Sequence, residues 1–568
     1  MKMSHALLAA VAVGAITAPV AVQAAPAKHR AHRHVAARVT HKEDGQLRQE
    51  VSDLRAEVAS LHQEIDSQRQ TAATTQAQVA QTTAQVGALQ TQVAAAPAPV
   101  TQEEVKTDIA SAVETERKKP YFEFKGIHIT PGGFLEAAGI YRQHNMSSDV
   151  NTNFGAIPFP NASSAHTSEG RFSSRQSRVS FLAEGKPNAR TKVAMYGEFD
   201  FLGAAQTANS NESNSYNLRI RNLYGTIDWD RGNSGLHFLG GQSWSLMTMN
   251  ADGIVPRTEA SPVVIDAQYV VGFNWARQPG YRLAADFDNH HFWVAVSAEN
   301  PQTTFAGAVP SIVTSYSNFS GGGGSTTGAG AGASLFNAAV KYSAGGTPDF
   351  IGKVAYQNVI AGHGVHLEAF ALDRTNTAHI DNAGNSYNTN KAGYGFGGGM
   401  MVQVVPKVLD VQFSGMAGKG IGRYGTAGLP DVTFDGNGNI HPIKEFMMLG
   451  GIMIHATKAL DIYGYAGEEQ QNSARYGTYG TGLVTANDTG CFTEPLPGAS
   501  SPCTGNTRRV RELTGGFWDR FYQGYFGHAQ VGIQYAYVQR QLFYASDVGG
   551  EPQVGEGIGM LSFRYYPF

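Results

Sequence analysis

From about residue 130 onwards, apolar and polar residues alternate along the chain with a period of two. In the stretch 193–201 the odd positions carry Val, Met, Gly and Phe, whereas Glu198 and Asp200 are among the even ones. The same rhythm recurs at 409–416 and 530–537. Side chains of a β-strand point alternately to its two faces, so this pattern predicts strands with one apolar face and one polar face.

Gly- and Asn-rich interruptions divide this region, and they come in two lengths: very short ones such as 232–235, and long ones. Transmembrane barrels have short periplasmic turns, long external loops and an even strand number, with both barrel ends in the periplasm. The stretches 267–276 and 334–343 also resemble strands, but as strands they would place long loops on the wrong side. We therefore predict an all-β transmembrane barrel of about sixteen antiparallel strands, at approximately 132–143, 174–185, 190–203, 216–230, 235–246, 277–287, 290–299, 349–358, 364–374, 393–404, 408–418, 443–456, 459–467, 514–526, 529–544 and 557–568.

A heptad pattern in 46–93 precedes the alternating region. Its a positions are Val51, Val58, Ile65, Ala72, Val79, Val86 and Val93, and its d positions are Leu47, Leu54, Leu61, Gln68, Thr75, Thr82 and Leu89. This pattern predicts a coiled coil. β-branched a residues with Leu at d favour two helices, whereas the barrel behind the coil favours three. The segment 94–130, with a Pro-Ala-Pro at 97–99, is interpreted as a periplasmic linker.

The first residues predict export. A basic start, an apolar run over 6–20 and small residues at the −3 and −1 positions make 1–24 a signal peptide. The following segment, 25–45, is rich in basic residues and His, and is interpreted as a solvated tail, with metal binding as the alternative.

Composition narrows the functional class. No stretch approaches about 18 consecutive apolar residues, which argues against transmembrane helices, and the net charge of −3 gives no reason to expect nucleic-acid binding. Cys491 and Cys503 are the only cysteines, and they are predicted to form a disulfide within a loop, the alternative being two free thiols. Known catalytic motifs are absent from the sequence, so no enzyme activity, cofactor or metal centre is predicted.

Four short motifs stand out along the predicted strands: Arg-Gln-Ser-Arg at 175–178, Arg-Ile-Arg-Asn-Leu-Tyr at 219–224, Gly-Gln-Ser-Trp-Ser at 241–245 and Arg-Gln-Pro at 277–279. Together they resemble the DcaP-like family of outer-membrane porins. The order of signal, coiled coil and barrel is also similar to that family. The resemblance implies a homotrimer of sixteen-stranded barrels, a third loop folded into each pore, and small anionic solutes such as dicarboxylates.

Strand parity selects the charged residues that face inward. The predicted pore-lining residues are Arg178, Arg219, Arg221, Arg282, Lys353, Glu198 and Asp200, and those of the constriction loop 247–276 are Asp252, Arg257, Glu259 and Asp266. By the same parity Tyr224 is placed on the face opposite Arg219 and Arg221. Arg178, Arg219 and Arg221 are predicted to form one patch that favours anions, since charges in a narrow pore bias which ions enter.

Two residues at other positions receive separate interpretations. Arg175 has the opposite parity and is assigned to the external rim, near lipopolysaccharide phosphates. Arg564 would share a face with the terminal Phe568, so a bulge or register shift is expected in the last strand.

The predicted function is passive diffusion of small hydrophilic, anionic solutes across a bacterial outer membrane, with the N-terminal region (25–130) in the periplasm. Expected partners are two further copies of the chain, outer-membrane lipid, lipopolysaccharide, the barrel assembly machinery through Phe568, and peptidoglycan. The alternative is a surface adhesin or structural protein tethered through its coiled coil, which is less favoured because more than 400 residues read as strand and loop.

Overall fold

The computed structural model describes residues 121–203, 217–315 and 345–568, together with scattered residues between 52 and 87. The C-terminal unit contains sixteen long antiparallel strands, which we number β1 to β16. They are β1 (Ile127–Arg142), β2 (in two segments, Glu169–Ser173 and Arg178–Asn188), β3 (Thr191–Gly203), β4 (Asn217–Asp230), β5 (Gly235–Trp244), β6 (Arg277–Phe287), β7 (Phe292–Glu299), β8 (Asp349–Ile360), β9 (His363–Asn382), β10 (Asn385–Val405), β11 (Leu409–Lys419), β12 (Lys444–His455), β13 (Leu460–Gln471), β14 (Thr507–Gly524), β15 (Gly527–Leu542) and β16 (Gln553–Tyr566).

Each strand pairs with the next along the chain, and β16 pairs with β1 to close the sheet. The closing register runs from Leu135 opposite Tyr565 to Arg142 opposite Ile558. Closure gives every strand a hydrogen-bonding neighbour on both sides, as lipid requires, because nothing in a bilayer core satisfies an exposed strand edge. The predicted sixteen-stranded barrel is therefore confirmed.

Period-two alternation separates the two surfaces of the barrel wall. On β7, Val294 and Val296 are exposed on the outside, whereas Ser297 and Glu299 are buried on the inside. Exposed aromatic residues, such as Tyr281, Tyr535 and Phe563, also lie on the outer surface. An apolar outer band with aromatic residues and a polar interior are typical of transmembrane barrels.

Two-residue turns join several strands. Ala361 and Gly362 connect β8 to β9, and Ala383 and Gly384 connect β9 to β10. All four have positive φ, between 49° and 93°. Positive φ at both central residues is typical of type I′ hairpin turns, whose twist matches that of the flanking strands.

Strand lengths differ from the sequence prediction at several ends. β9 and β10 have 20 and 21 residues, about twice what a tilted strand needs to cross a bilayer. The predicted strands 364–374 and 393–404 were therefore too short at the ends that face each other across the turn. The stretch 267–276 contains no strand, as expected, and 334–343 lies outside the described residues.

The expected irregularity near the C-terminus is absent. β16 keeps an unbroken register with β15 from Gln553 to Tyr566, and Arg564 points inward to Glu136 at 2.9 Å. The strand ends at Tyr566, so Phe568 lies beyond it and does not share the alternation. That prediction was wrong because it extended the strand to the last residue.

The chain divides into two units, of which the N-terminal one comprises residues 1–114. Its described residues between 52 and 87 are helical, including the continuous run 76–85. The predicted signal peptide, the His-rich tail, most of the linker and most a and d positions lie outside the described residues. Association of the helices into a coiled coil thus stays a prediction. No helix among the described residues is long and apolar enough to cross a membrane.

Candidate functional site in the barrel lumen

The connection between β5 and β6, residues 245–276, lies inside the barrel, and we call it loop 3. Its backbone bonds to side chains on distant strands: the Asn250 amide donates to Glu368 at 3.1 Å, and the Ile265 amide donates to Gln534 at 2.6 Å. Between these points the Gln412 amide group donates to the Ala260 carbonyl at 2.8 Å. Loop 3 therefore crosses the lumen from β9, past β11, to β15.

Two predicted pore cations are buried at or beside loop 3 instead of facing open water. The Lys353 ammonium group lies 2.9 Å from each of the Thr248 carbonyl, the Asn250 side-chain oxygen and the Glu368 carboxylate. The Arg282 guanidinium donates at 2.6 Å to the carbonyl of Trp244, the last residue of β5, directly before loop 3. Both side chains are buried, and the charge of Lys353 is committed to loop 3 and Glu368.

Buried carboxylates hold the far end of the loop. The Val271 amide donates to Glu512 and the Gly272 amide donates to Glu469, each at 2.8 Å. Gly272 has a φ of +90°, and a Cβ there would lie 1.9 Å from the Met448 carbonyl oxygen. Only glycine fits so close to the barrel wall in this conformation.

A row of inward glycines on β10 makes room for this packing. They are Gly393, Gly395, Gly397 and Gly399. A Cβ on Gly399 would lie 2.3 Å from the Met249 sulfur of loop 3, and a Cβ on Gly395 would lie 2.2 Å from the methyl carbon of Met416. The row therefore provides the space into which Met249 and the barrel-wall side chains pack.

Arg178, Arg219 and Arg221 lie together on the lumen wall, around two carboxylates. Arg219 binds Asp200 through two hydrogen bonds of 2.9 and 2.6 Å. Arg221 reaches Glu198 at 3.1 Å and Asp200 at 3.0 Å. Arg178 lies 3.3 Å from Glu198. We call these five residues the arginine cluster.

Loop 3 meets the arginine cluster through its aromatic residues. Arg221 donates to the Tyr269 hydroxyl at 3.2 Å. Tyr269 in turn packs edge-on against Trp275, with ring centroids 5.3 Å apart. Arg277 lies over Trp275 and Trp244, 5.1 and 5.0 Å from their centroids. One Arg277 nitrogen is buried without a hydrogen-bond partner among the described residues.

Arg277 was not among the predicted pore residues, although the motif at 277–279 contained it. Arg277 and Arg282 are five positions apart on β6, so strict alternation would place them on opposite faces, and only the motif singled out Arg277. Arg564 was also missed, because the last strand was assumed to extend to Phe568, and alternation then placed Arg564 on the same face as Phe568. It pairs with Glu136 and lies over Trp518 at 4.5 Å.

The predicted constriction-loop residues occupy different environments. Asp266 is buried and accepts the backbone amides of Thr152 and Gln268 at 3.1 and 2.8 Å, which ties loop 3 to the connection after β1. Burial raises the pKa of the Asp266 carboxyl above its usual value. Glu259 accepts the amide of Arg257 at 3.3 Å, and burial raises its pKa too. Asp252 and Arg257 are exposed.

A bulge in β4 changes the orientation of the residues after it. Glu198 of β3 pairs with Asn222 and Phe199 with Ile220, so Arg221 is the extra residue. Beyond the bulge the parity is inverted. Tyr224, predicted on the face opposite Arg221, therefore also points inward and is only 6% exposed.

Two external features complete the site. Cys491 and Cys503 form a disulfide in the connection after β13, and Cys491 is fully buried against Phe159 and Leu542. Arg175 lies 3.2 Å from Asp149 and donates to the Gly203 carbonyl at 2.8 Å. Its guanidinium is thus engaged within the chain, which does not favour the predicted contact with lipopolysaccharide phosphates.

Comparison with solved structures identifies the architecture. The outer-membrane channel DcaP of Acinetobacter baumannii aligns with a TM-score of 0.52 at 17% identity, covering 78% of this chain and 99% of that one. OprB of Pseudomonas putida aligns over 80% of this chain and 96% of its own, with a TM-score of 0.41 and 10% identity. An anion-selective porin from Comamonas acidovorans covers 78% of this chain and 99% of its own, at 0.38 and 10%.

No protein-family model and no curated protein matches the chain. TM-scores of 0.41 and 0.38 do not establish a shared fold. The alignment with DcaP shows a similar overall fold, and its 17% identity shows nothing beyond the fold. In its architecture the chain is a closed, sixteen-stranded antiparallel barrel with a fold similar to that of DcaP, the fold that the resemblance of the sequence motifs implied.

Proposed function

We propose that the protein is an outer-membrane porin that lets small hydrophilic, preferentially anionic solutes diffuse through its barrel. The observation that supports this function is the arginine cluster on the lumen wall, facing a loop folded into the barrel. A closed barrel of sixteen to eighteen strands leaves an aqueous channel. A channel narrowed by an inserted loop forces solutes past the charged wall.

The balance of charge at this wall favours anions. Arg178, Arg219, Arg221 and Arg277 contribute four positive charges, and Glu198 and Asp200 contribute two negative ones. These six residues together therefore carry a net charge of +2. Arg277 forms no ion pair with any described residue, so its charge acts on the lumen. A low-dielectric wall focuses such a field and raises the local concentration of anions.

The closed barrel of a single chain also argues against the alternative function, a surface adhesin. In trimeric adhesins a coiled coil leads into a few strands per chain, whereas here one chain closes a whole barrel. No described feature favours the adhesin. We retain the outer membrane as the location, with the N-terminal region in the periplasm.

Reversal potentials in planar bilayers under a KCl gradient test the selectivity. Replacing Arg178, Arg219 and Arg221 by Gln leaves Arg277 against Glu198 and Asp200, a net charge of −1. We expect the anion-to-cation permeability ratio to fall by about tenfold or more and to favour cations.

The matched control replaces Arg190 and Arg231 by Gln. Both are exposed and lie outside the lumen, in the short turns after β2 and β4. The control should leave the ratio unchanged. If the triple variant also keeps the original ratio, the arginine cluster is not the selectivity filter.

A further inference from the structure

A partly enclosed side pocket lies in the lumen between the tip of loop 3 and the wall formed by β3, β4 and β7. Its volume is about 280 Å³, and it is lined mainly by aromatic and apolar side chains. These include Tyr196, Tyr224, Trp293, Ile254 and Pro256. The pocket is near the start of β3, on the periplasmic side of loop 3, and it is separate from the arginine cluster.

Aromatic rings form the walls of this pocket. Tyr196 and Tyr224 pack at a tilt with centroids 5.6 Å apart. Trp293 stacks on His237 with centroids 5.2 Å apart, and its indole nitrogen donates to the His290 carbonyl at 2.8 Å. The tryptophan is thereby fixed in orientation. Flat rings held in this way offer faces against which another ring packs.

Tyr224 presents a polar atom with nothing to bind. Its side chain is more than nine-tenths buried, yet its hydroxyl has no hydrogen-bond partner among the described residues. Buried hydroxyl groups nearly always have a partner, because leaving one unsatisfied costs free energy. An unpaired hydroxyl in a pocket lining indicates a polar group of a ligand at that point.

Arg257 supplies an uncommitted positive charge at the same pocket. Its guanidinium lies over the Tyr196 ring at 5.5 Å and forms no ion pair with any described residue. The other charged lining groups already have partners: Lys192 pairs with Glu184 at 2.8 Å, and Asp228 pairs with His237 at 2.8 Å. One cation and one hydroxyl are therefore left for a ligand.

We propose that this pocket binds a carboxylate attached to a single aromatic ring, such as benzoate, as a subsite for solutes that cross the porin. The inference rests on the proposed function. The ring packs against Tyr196, Tyr224 and Trp293, and the carboxylate accepts from Arg257 and the Tyr224 hydroxyl. A cavity of about 150 Å³ is enough for benzene, so the volume holds one substituted ring. A sugar would need more free polar groups than the lining leaves.

Calorimetric titration of the purified full-length protein in detergent tests the subsite with sodium benzoate, sodium acetate, benzamide and glucose. We expect saturable binding of benzoate and much weaker binding of acetate and glucose. Tyr224→Phe and Arg257→Gln should each weaken benzoate about tenfold, since each removes a hydrogen bond to a charged group. Benzamide should not respond to Arg257→Gln.

Two controls and a second assay separate the outcomes. Tyr281→Phe, on the outer surface, and Arg231→Gln, in a short turn, should leave benzoate binding unchanged. The subsite is overturned if benzoate shows no saturable binding, if both pocket variants bind like the wild type, or if glucose binds as tightly. A protein that conducts ions in bilayers without binding benzoate refutes only the subsite, whereas benzoate binding without conductance refutes the porin.

Discussion

Inward-facing charged residues of this barrel have two distinct roles, which parity along a strand does not separate. Lys353 and Arg178 both point inward, as alternation predicted. Lys353 is fully buried against loop 3, whereas Arg178 lies in the arginine cluster. The difference depends on partners such as Thr248, which lies 105 residues away in the sequence. No local pattern encodes a contact of that range.

Tyr224 shows that one inserted residue is enough to make strand alternation predict the wrong face for a side chain. The prediction treated the motif at 219–224 as a regular strand whose side chains alternate strictly between the two faces. The bulge at Arg221 moves every later side chain of β4 to the other face. Side-chain facing was therefore predictable only up to the bulge, and the pocket residue beyond it was assigned to the wrong surface.

The packing of loop 3 against β10 can be tested by adding a single methyl group at Gly399. A Cβ on Gly399 would lie 2.3 Å from the Met249 sulfur, and it would also lie 2.9 Å from the Phe413 carbonyl oxygen. We expect Gly399→Ala to displace loop 3 and to change the single-channel conductance measurably, together with a lower thermal midpoint. Overpacking of this kind costs about 1–3 kcal/mol.

Gly352 provides the control for that substitution. It lies on β8, and a Cβ there would meet nothing within 4 Å. Gly352→Ala should keep the conductance of the wild type. A Gly399→Ala channel that behaves like Gly352→Ala would show that Met249 does not depend on the space left by the glycine row.

At the level of elements, sixteen strands were predictable because lipid outside and water inside impose a strict two-residue rhythm on each one. The path of loop 3 was not predictable from the sequence pattern. Its position depends on single polar side chains of β9, β11 and β15 that bond its backbone. Its insertion into the pore followed only from the family resemblance.

The buried pair of Lys353 and Glu368 tests how firmly loop 3 is held. Lys353→Met leaves the Glu368 carboxylate buried without its cation, which costs about 3–5 kcal/mol. We expect a lower thermal midpoint in detergent and larger fluctuations of the open-channel current. Restoring neutrality with Lys353→Met/Glu368→Gln should recover much of the loss, because Gln still accepts the Asn250 amide.

Lys458→Met is the matched control, since Lys458 is exposed in the turn between β12 and β13. It should resemble the wild type in both measurements. Equal midpoints for Lys353→Met and Lys458→Met would mean that the ion pair contributes nothing to the position of the loop.

At the level of the whole molecule, each chain closes its own barrel, so assembly of copies is not needed to complete the pore. The predicted homotrimer then contains three independent channels. We expect single-channel recordings of purified protein to show closure in three equal conductance steps. A single step, or steps of unequal size, would contradict three equivalent pores.

Loop 3 also has a consequence for the order of events during biogenesis. Its amide at Ile265 bonds to Gln534 on β15, and its carbonyl at Val263 accepts from Trp518 on β14 at 2.7 Å. Contacts between segments so far apart form late, because the chain entropy of closing long loops opposes them. The narrow part of the channel therefore takes its final shape only after β14 and β15 have joined the wall, and until then loop 3 does not constrict the lumen.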